Sequence, residues 1–210
     1  MSYYHDLITQ KSWLELQQLK KICNFTLIGG WAVYFYTLAL KSKDIDIIIN
    51  YDQLENLKHK YSLTKNDRLK KYEAVLGQVQ IDIYLPHYSF LGIPAEDIIK
   101  HNADIEGFNL IDIDYLTASK MYTLSQRGRT PKGQKDLIDI ISLISQSKFQ
   151  QVSLHKVKDI LQKNKLLKVL NYFQEFLNEN FDIPQLNLNK HQFAQIKKEI
   201  KQNLYASQKK

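Results

Sequence analysis

Apolar and polar positions along the chain change rhythm once, near residue 114. Before that point short apolar runs alternate with period two or stand between turn residues; after it the apolar positions recur at helical spacing. Residues 5 to 22 predict a helix with Trp13, Leu16, Leu19 and Ile22 on a broad stripe. Phe25 to Ile28 predicts a first strand, and Trp31 to Leu40 a helix after the turn Gly29-Gly30. A polar turn, Lys41-Ser42-Lys43, then leads into the strand Asp44-Ile45-Asp46-Ile47-Ile48-Ile49. Asp52 predicts the N-cap of a short helix to about Lys60, followed by a charged, mobile loop through Lys71. Tyr72 to Leu76 and Val79 to Leu85 predict a hairpin turning at Gly77-Gln78. Pro94 to His101 predicts a helix, and residues 104 to 113 a last strand pair bending at Glu106-Gly107.

From Tyr115 on, helices are predicted near 115–126, 134–146, 153–163, 165–179 and 190–205. The clearest carry Leu137, Ile140, Ile141 and Ile144 at i, i+3, i+4 and i+7, and Leu166, Leu170, Phe173 and Leu177 at i, i+4, i+7 and i+11. Pro184 lies in an Asn-rich loop at 178–189, and Ala206 to Lys210 reads as a frayed tail. The expected organisation is an α/β (α+β) domain with a mixed sheet over residues 1–114, followed by an all-helical domain over 115–210.

Charge sharpens this division. Residues 1–114 carry 12 Lys or Arg against 15 Asp or Glu, a net −3; the remainder carries 17 against 7, a net +10. The acidic half suits a metal site and the basic half a polyanion partner, although lysine-rich helices can also be merely solvated. The single cysteine, Cys23, excludes an internal disulfide framework and a cysteine-based zinc site. No apolar run approaches the ~20 residues needed to span a bilayer, and Tyr3, Tyr4 and Asp6 do not fit a signal peptide, so a cytoplasmic protein without membrane contact is expected.

The candidate chemistry is concentrated between Leu27 and Asn50. Strand alternation places Asp44 and Asp46 on one face, about 7 Å apart, with Ile45, Ile47 and Ile49 on the other; such a pair can share hard divalent cations. Gly29 and Gly30 end the preceding strand where a bare backbone can approach a phosphate, and the following helix points its N-terminal amides at the same place. Asp82 sits on an alternating strand opposite Ile81 and Ile83; an ordinary solvated strand face also produces such an aspartate. Asp112 and Asp114 alternate too, but lack a Gly-Gly turn before them, and Asp114 reads as a helix cap. The six histidines show neither helical pairing nor clustering near carboxylates, and no Gly-x-Ser-x-Gly elbow supports serine hydrolase chemistry. Between the first two C-terminal helices, the stretch Gln126 to Asp139 reads as a basic loop beside Asp136 and Asp139, either a solvated connection or a phosphate-binding wall of Arg127, Arg129, Lys132 and Lys135.

The run Leu27 to Asp46 resembles the DNA polymerase β-like nucleotidyltransferase superfamily, whose signature is an apolar strand, Gly-Gly or Gly-Ser, a helix, and Asp-x-Asp on the next strand. Gly29, Gly30, Asp44 and Asp46 match it, with Ser42 two residues before the first aspartate. Trp31 departs from the common Ser, and Lys41 stands where Arg is frequent, a weaker bidentate phosphate clamp. Lys120 and Asp136 further resemble later motifs of the AbiEii-type toxin nucleotidyltransferases; the whole resemblance covers about residues 25–145. It implies a third carboxylate at Asp82, and metal ligation by Asp44, Asp46 and Asp82. It implies nucleotide contacts from Gly29, Gly30, Ser42, Lys43, Lys120 and Asp136, with Lys120 offsetting charge on the departing pyrophosphate. The cofactor implied is Mg2+, as one or two ions, with Mn2+ able to substitute. The reaction implied is transfer of a nucleoside monophosphate from an NTP to an acceptor hydroxyl, on RNA (a tRNA 3′ end) or a protein, in a toxin–antitoxin-like role with a cognate antitoxin. Gly-Gly-Trp-Ala also looks like the aminoglycoside nucleotidyltransferases, and a non-catalytic nucleotide-binding or antitoxin module is a third alternative.

Overall fold

The computed structural model describes residues 2–179 and 182–205, with side chains from Asp6 onward. The tail expected at Ala206 to Lys210 lies outside the described residues. The chain divides into two compact units, Met1–Asp112 and Ile113–Lys210.

In the first unit, helix α1 (Ser2–Leu19) precedes strand β1 (Thr26–Ile28), helix α2 (Gly29–Thr37) and strand β2 (Ile45–Ile48). Helix α3 (Tyr51–Lys60), strands β3 (Thr64–Asn66), β4 (Lys71–Leu76) and β5 (Val79–Tyr84), the short α4 (Ala95–Ile98), and strands β6 (Asn102–Ile105) and β7 (Phe108–Ile111) complete it. The seven strands form one mixed sheet in the order β3-β4-β5-β2-β1-β7-β6. β2 runs parallel to β5, and β1 parallel to β7; the remaining neighbours are antiparallel.

The central strands are short, β-branched and deeply buried. Leu27, Ile45, Ile47, Ile81, Ile83 and Leu110 have no exposed surface. β5 alternates strictly, with Val79, Ile81 and Ile83 buried and Gln80, Asp82 and Tyr84 half-buried. α2 is apolar on nearly every side, and seven of its nine residues are buried, as befits a helix enclosed by its own unit. It ends three residues before the expected Leu40. The Thr37 hydroxyl donates to the Val33 carbonyl (2.8 Å) and accepts from the Ala39 N–H (3.2 Å), while Leu38 turns left-handed with φ 57°.

Two other expectations are corrected here. The residue capping α3 is Asn50; Asp52 falls inside its first turn, where it accepts from the Gln53 amide. The charged stretch before Lys71 is not simply a loop, because Thr64–Asn66 forms an edge strand on β4. Its polar, lysine-bearing sequence hides the strand from hydrophobic patterning and suits an edge that must not recruit another chain.

The second unit contains helices α5 (Ile113–Arg127), α6 (Pro131–Gln146), α7 (Leu154–Lys163), α8 (Lys168–Glu179) and α9 (Lys190–Tyr205), with a 3-10 turn at Pro184–Leu186. Leu137, Ile140, Ile141, Phe173 and Leu177 are fully enclosed along the stripes that predicted their helices, as are Leu161 on α7 and Ile200 on α9. Asp114 is in the first turn of α5, and its carboxylate accepts from the Ser153 backbone N–H (2.7 Å), at the N-cap of α7. It therefore ties two helices together rather than only capping its own. Among the described residues no helix is long and apolar enough to cross a membrane.

Candidate active site

β1 passes into α2 without a loop. Ile28 is extended (φ −127°, ψ −168°) and supplies no side-chain cap, and the next residue, Gly29, has φ +66°. A Cβ at Gly29 would lie 2.1 Å from Oδ2 of Asp46. Glycine is thus required twice over, by a backbone conformation that L-residues resist and by a carboxylate already in contact. The antiparallel register pairs Ile28 with Asp46, which brings that carboxylate to the first turn of α2, where the helix dipole favours negative charge.

The parallel register of β2 and β5 pairs Asp46 directly with Asp82, so both project from the same face of the sheet. Asp44 lies just outside β2 and is exposed; the expected strand pair is one strand residue, Asp46, and one residue in the bend before it. Gly30 is buried in the first turn of α2. Ser42 is buried, whereas Lys41 and Lys43 on either side of it are exposed. Trp31, in place of a hydroxyl residue, is buried and donates its indole N–H to Ser12 Oγ (2.8 Å), which fastens α2 to α1.

Asp82 has close partners on the neighbouring strand. Lys71 Nζ lies 2.5 Å from its Oδ2 and 2.9 Å from Glu73 Oε1, and the Gln80 amide donates to its Oδ1 (2.7 Å). Lys71 is buried. Burial alone would lower its pKa, but the hydrogen bonds to Asp82 and Glu73 outweigh that and hold it above the ordinary lysine value. The bond from Lys71 correspondingly holds the Glu73 carboxyl below the usual range. Sequence reasoning missed Lys71 and Glu73. The two-residue turn at Gly77-Gln78 sets Glu73 opposite Asp82, and Lys71, two positions along, shares its face, so the hairpin register itself could have found them. Among the described residues no group of three or more His, Cys, Asp or Glu side chains is arranged to hold a metal ion.

In the second unit the other candidate residues fall into two kinds. Lys120, buried on α5, donates to Asp136 Oδ1 (3.2 Å) and Asp139 Oδ2 (2.7 Å) on α6; Arg127 donates to Asp136 Oδ2 (2.9 Å). Both aspartates are almost fully enclosed. The expected basic loop is reduced to residues 128–130. Thr130 caps α6 by accepting from Gly133 N–H (3.2 Å), Pro131 opens the helix, and a Cβ at Gly133 would strike the Gly128 carbonyl. Arg129 pairs with Glu179 through two hydrogen bonds, Nε to Oε2 at 2.7 Å and the second from Nη2 to Oε1. Lys132 and Lys135 are exposed on the first turns of α6. Contrary to expectation, two histidines do stand beside carboxylates: His87 by Glu96 (3.3 Å) and His155 by Asp159 (3.1 Å), both on the surface.

No protein-family model matches the sequence, and no curated protein matches it. The chain aligns at low identity with several solved structures. An antigenic nucleotidyltransferase-like protein from Paracoccidioides brasiliensis is 14% identical, with 80% of this chain and 93% of that one covered and a TM-score of 0.44. The Megavirus polyadenylate synthase is 13% identical over 66% of this chain and 32% of that one, with a TM-score of 0.47. ANT(2″)-Ia in complex with adenylyl-2″-tobramycin is 12% identical over 81% and 98%, with a TM-score of 0.46. Likeness at this level leaves the chemistry to be argued from the residues.

Proposed function

We propose that the chain is a metal-dependent nucleotidyltransferase that moves a nucleoside monophosphate from an NTP to an acceptor hydroxyl. The observation that carries this reading is the contact of Gly29, at the start of α2, with Asp46, whose strand neighbour is Asp82. A helix start attracts phosphate, and here it also faces a carboxylate; a cation beside both would offset their mutual repulsion. Asp46 and the exposed Asp44 supply the oxygen ligands Mg2+ prefers, and that ion is commonly held by one or two carboxylates together with substrate phosphates. When bound, it would screen the triphosphate and stabilise charge on the α-phosphoryl oxygens, with Mn2+ able to substitute.

The chain's own residues would do the rest. Backbone amides at Gly29 and Gly30 admit the phosphates, and the exposed Lys41 and Lys43, flanking Ser42, offset their charge. The acceptor oxygen forms a bond to the α-phosphorus as the bond from that phosphorus to the bridging oxygen breaks, and pyrophosphate leaves with the electron pair. The hydroxyl proton passes to Asp82, whose Oδ2 must first part from Lys71. Lys120 and Asp136 hold α5 to α6 in this reading and do not touch the nucleotide.

For the acceptor, the net +10 of residues 115–210 favours RNA, such as a tRNA 3′ end, over a protein, in a toxin–antitoxin-like role with a cognate antitoxin. A small-molecule acceptor of the aminoglycoside kind is the second reading. It is favoured by Arg127 and Arg129, half of the expected phosphate-binding wall, being ion-paired to Asp136 and Glu179. The test is incubation with Mg2+ and each α-labelled NTP in turn, with total tRNA, protein or an aminoglycoside as acceptor. Labelled tRNA is expected; label only on the small molecule would replace the RNA reading, and no label on any acceptor would remove the transferase.

A further inference from the structure

The charge of Asp82 is balanced from within the chain. The Gly77-Gln78 turn fixes Glu73 across from Asp82, and strand alternation puts Lys71 on the same face as Glu73. The buried ammonium of Lys71 then reaches Asp82 Oδ2 at 2.5 Å and Glu73 Oε1 at 2.9 Å, while Gln80 donates to the other Asp82 oxygen at 2.7 Å. Both oxygens that a divalent ion would use are therefore engaged. An ion placed there would also stand beside an enclosed positive charge and be repelled by it.

We propose that Lys71 is a tethered cation standing at Asp82 in place of a divalent ion, so that the folded site draws a divalent ion to Asp44 and Asp46 and opens Asp82 to one only when Lys71 is displaced. The inference rests on the proposed function for the location of the site, but not on turnover. It makes Lys71 a positioning residue that limits how many ions the carboxylates hold.

The experiment counts bound Mn2+, without nucleotide, from the electron paramagnetic resonance signal of the free ion. Wild type, Lys71→Met, Lys71→Gln and Lys71→Met/Asp82→Asn are compared. Met keeps the apolar stem, Gln keeps a donor to Asp82 without its charge, and circular dichroism of each variant checks that it is folded. Both single variants should bind one more Mn2+ per chain than wild type, and the double variant should lose that gain. Bound Mn2+ should raise the melting temperature of Lys71→Met more than that of wild type. Equal ion counts in wild type and whichever Lys71 variant is folded overturn the inference, as does a gain that survives loss of Asp82. A gain in ions without nucleotide transfer by any form would retain the tethered cation and remove the transferase, whereas transfer with unchanged ion counts would do the reverse.

Discussion

Gly29 and Asp46 occupy mutually exclusive space: the carboxylate Oδ2 of Asp46 fills the position, to within 2.1 Å, that a Cβ on Gly29 would take. The turn that opens α2 and the strand that carries the aspartate are thereby locked in one register, with Ile28 opposite Asp46. Fold and candidate chemistry depend on the same contact.

Gly29→Ala should therefore destabilise the chain by at least about 1–3 kcal/mol, from the left-handed backbone together with the clash. Asp46→Ala in the same chain should restore part of that loss, since two of the three atoms met are in the carboxyl group. Urea unfolding of both single variants and the double variant measures the coupling; strictly additive losses would show that the two residues do not meet.

Lys120 gives a second test, because its burial against Asp136 and Asp139 predicts a structural cost. Lys120→Met leaves two enclosed carboxylates short of a partner and should cost about 3–5 kcal/mol, whereas Lys132→Gln on the exposed turn of α6 should stay within about 0.5 kcal/mol. If RNA is the acceptor, replacing both Lys132 and Lys135 with Gln should flatten the log–log salt dependence of its binding by about 1.5 to 2 units. Normal melting of Lys120→Met, or an unchanged salt slope, contradicts the corresponding assignment.

Alkaline pH should weaken the first unit through Cys23. Burial pushes this thiol from 9.0 up to about 11, so the folded chain keeps a proton that the unfolded chain releases. Its contribution to stability is fully present below about pH 9 and is lost as pH rises toward 11. Unfolding midpoints in urea at about pH 8 and about pH 10 should differ more in wild type than in Cys23→Ala. Tyr61, whose hydroxyl donates to Glu15, and Tyr205 act in the same direction at still higher pH, so some alkaline loss should remain in the variant. An equal loss in both proteins would show that the thiol is not the cause.

Sequence pattern carried the helical unit best, because long amphipathic stripes such as Leu137 to Ile141 have one physical reading. It placed Gly29 and Asp46 near one another through the Gly-Gly turn, the β-branched run and the strand that follows. It failed where polar residues do structural work. The edge strand Thr64–Asn66 has no apolar face to signal it, and Lys71 looked like the end of a charged loop until the hairpin register set it against Asp82. Arg127, Arg129 and Lys120 read as free cations in a linear sequence, since nothing local indicates that Asp136, Asp139 and Glu179 are their partners.

The central claim is tested most directly by following both ends of the NTP with Asp46→Ala beside wild type. With Mg2+ and acceptor present, wild type should place α-label on the acceptor and release γ-label as pyrophosphate. Asp46→Ala should do neither while remaining folded, as circular dichroism and a melting curve check. Wild-type transfer by a folded Asp46→Ala protein, or γ-label arriving on the acceptor, would contradict the account.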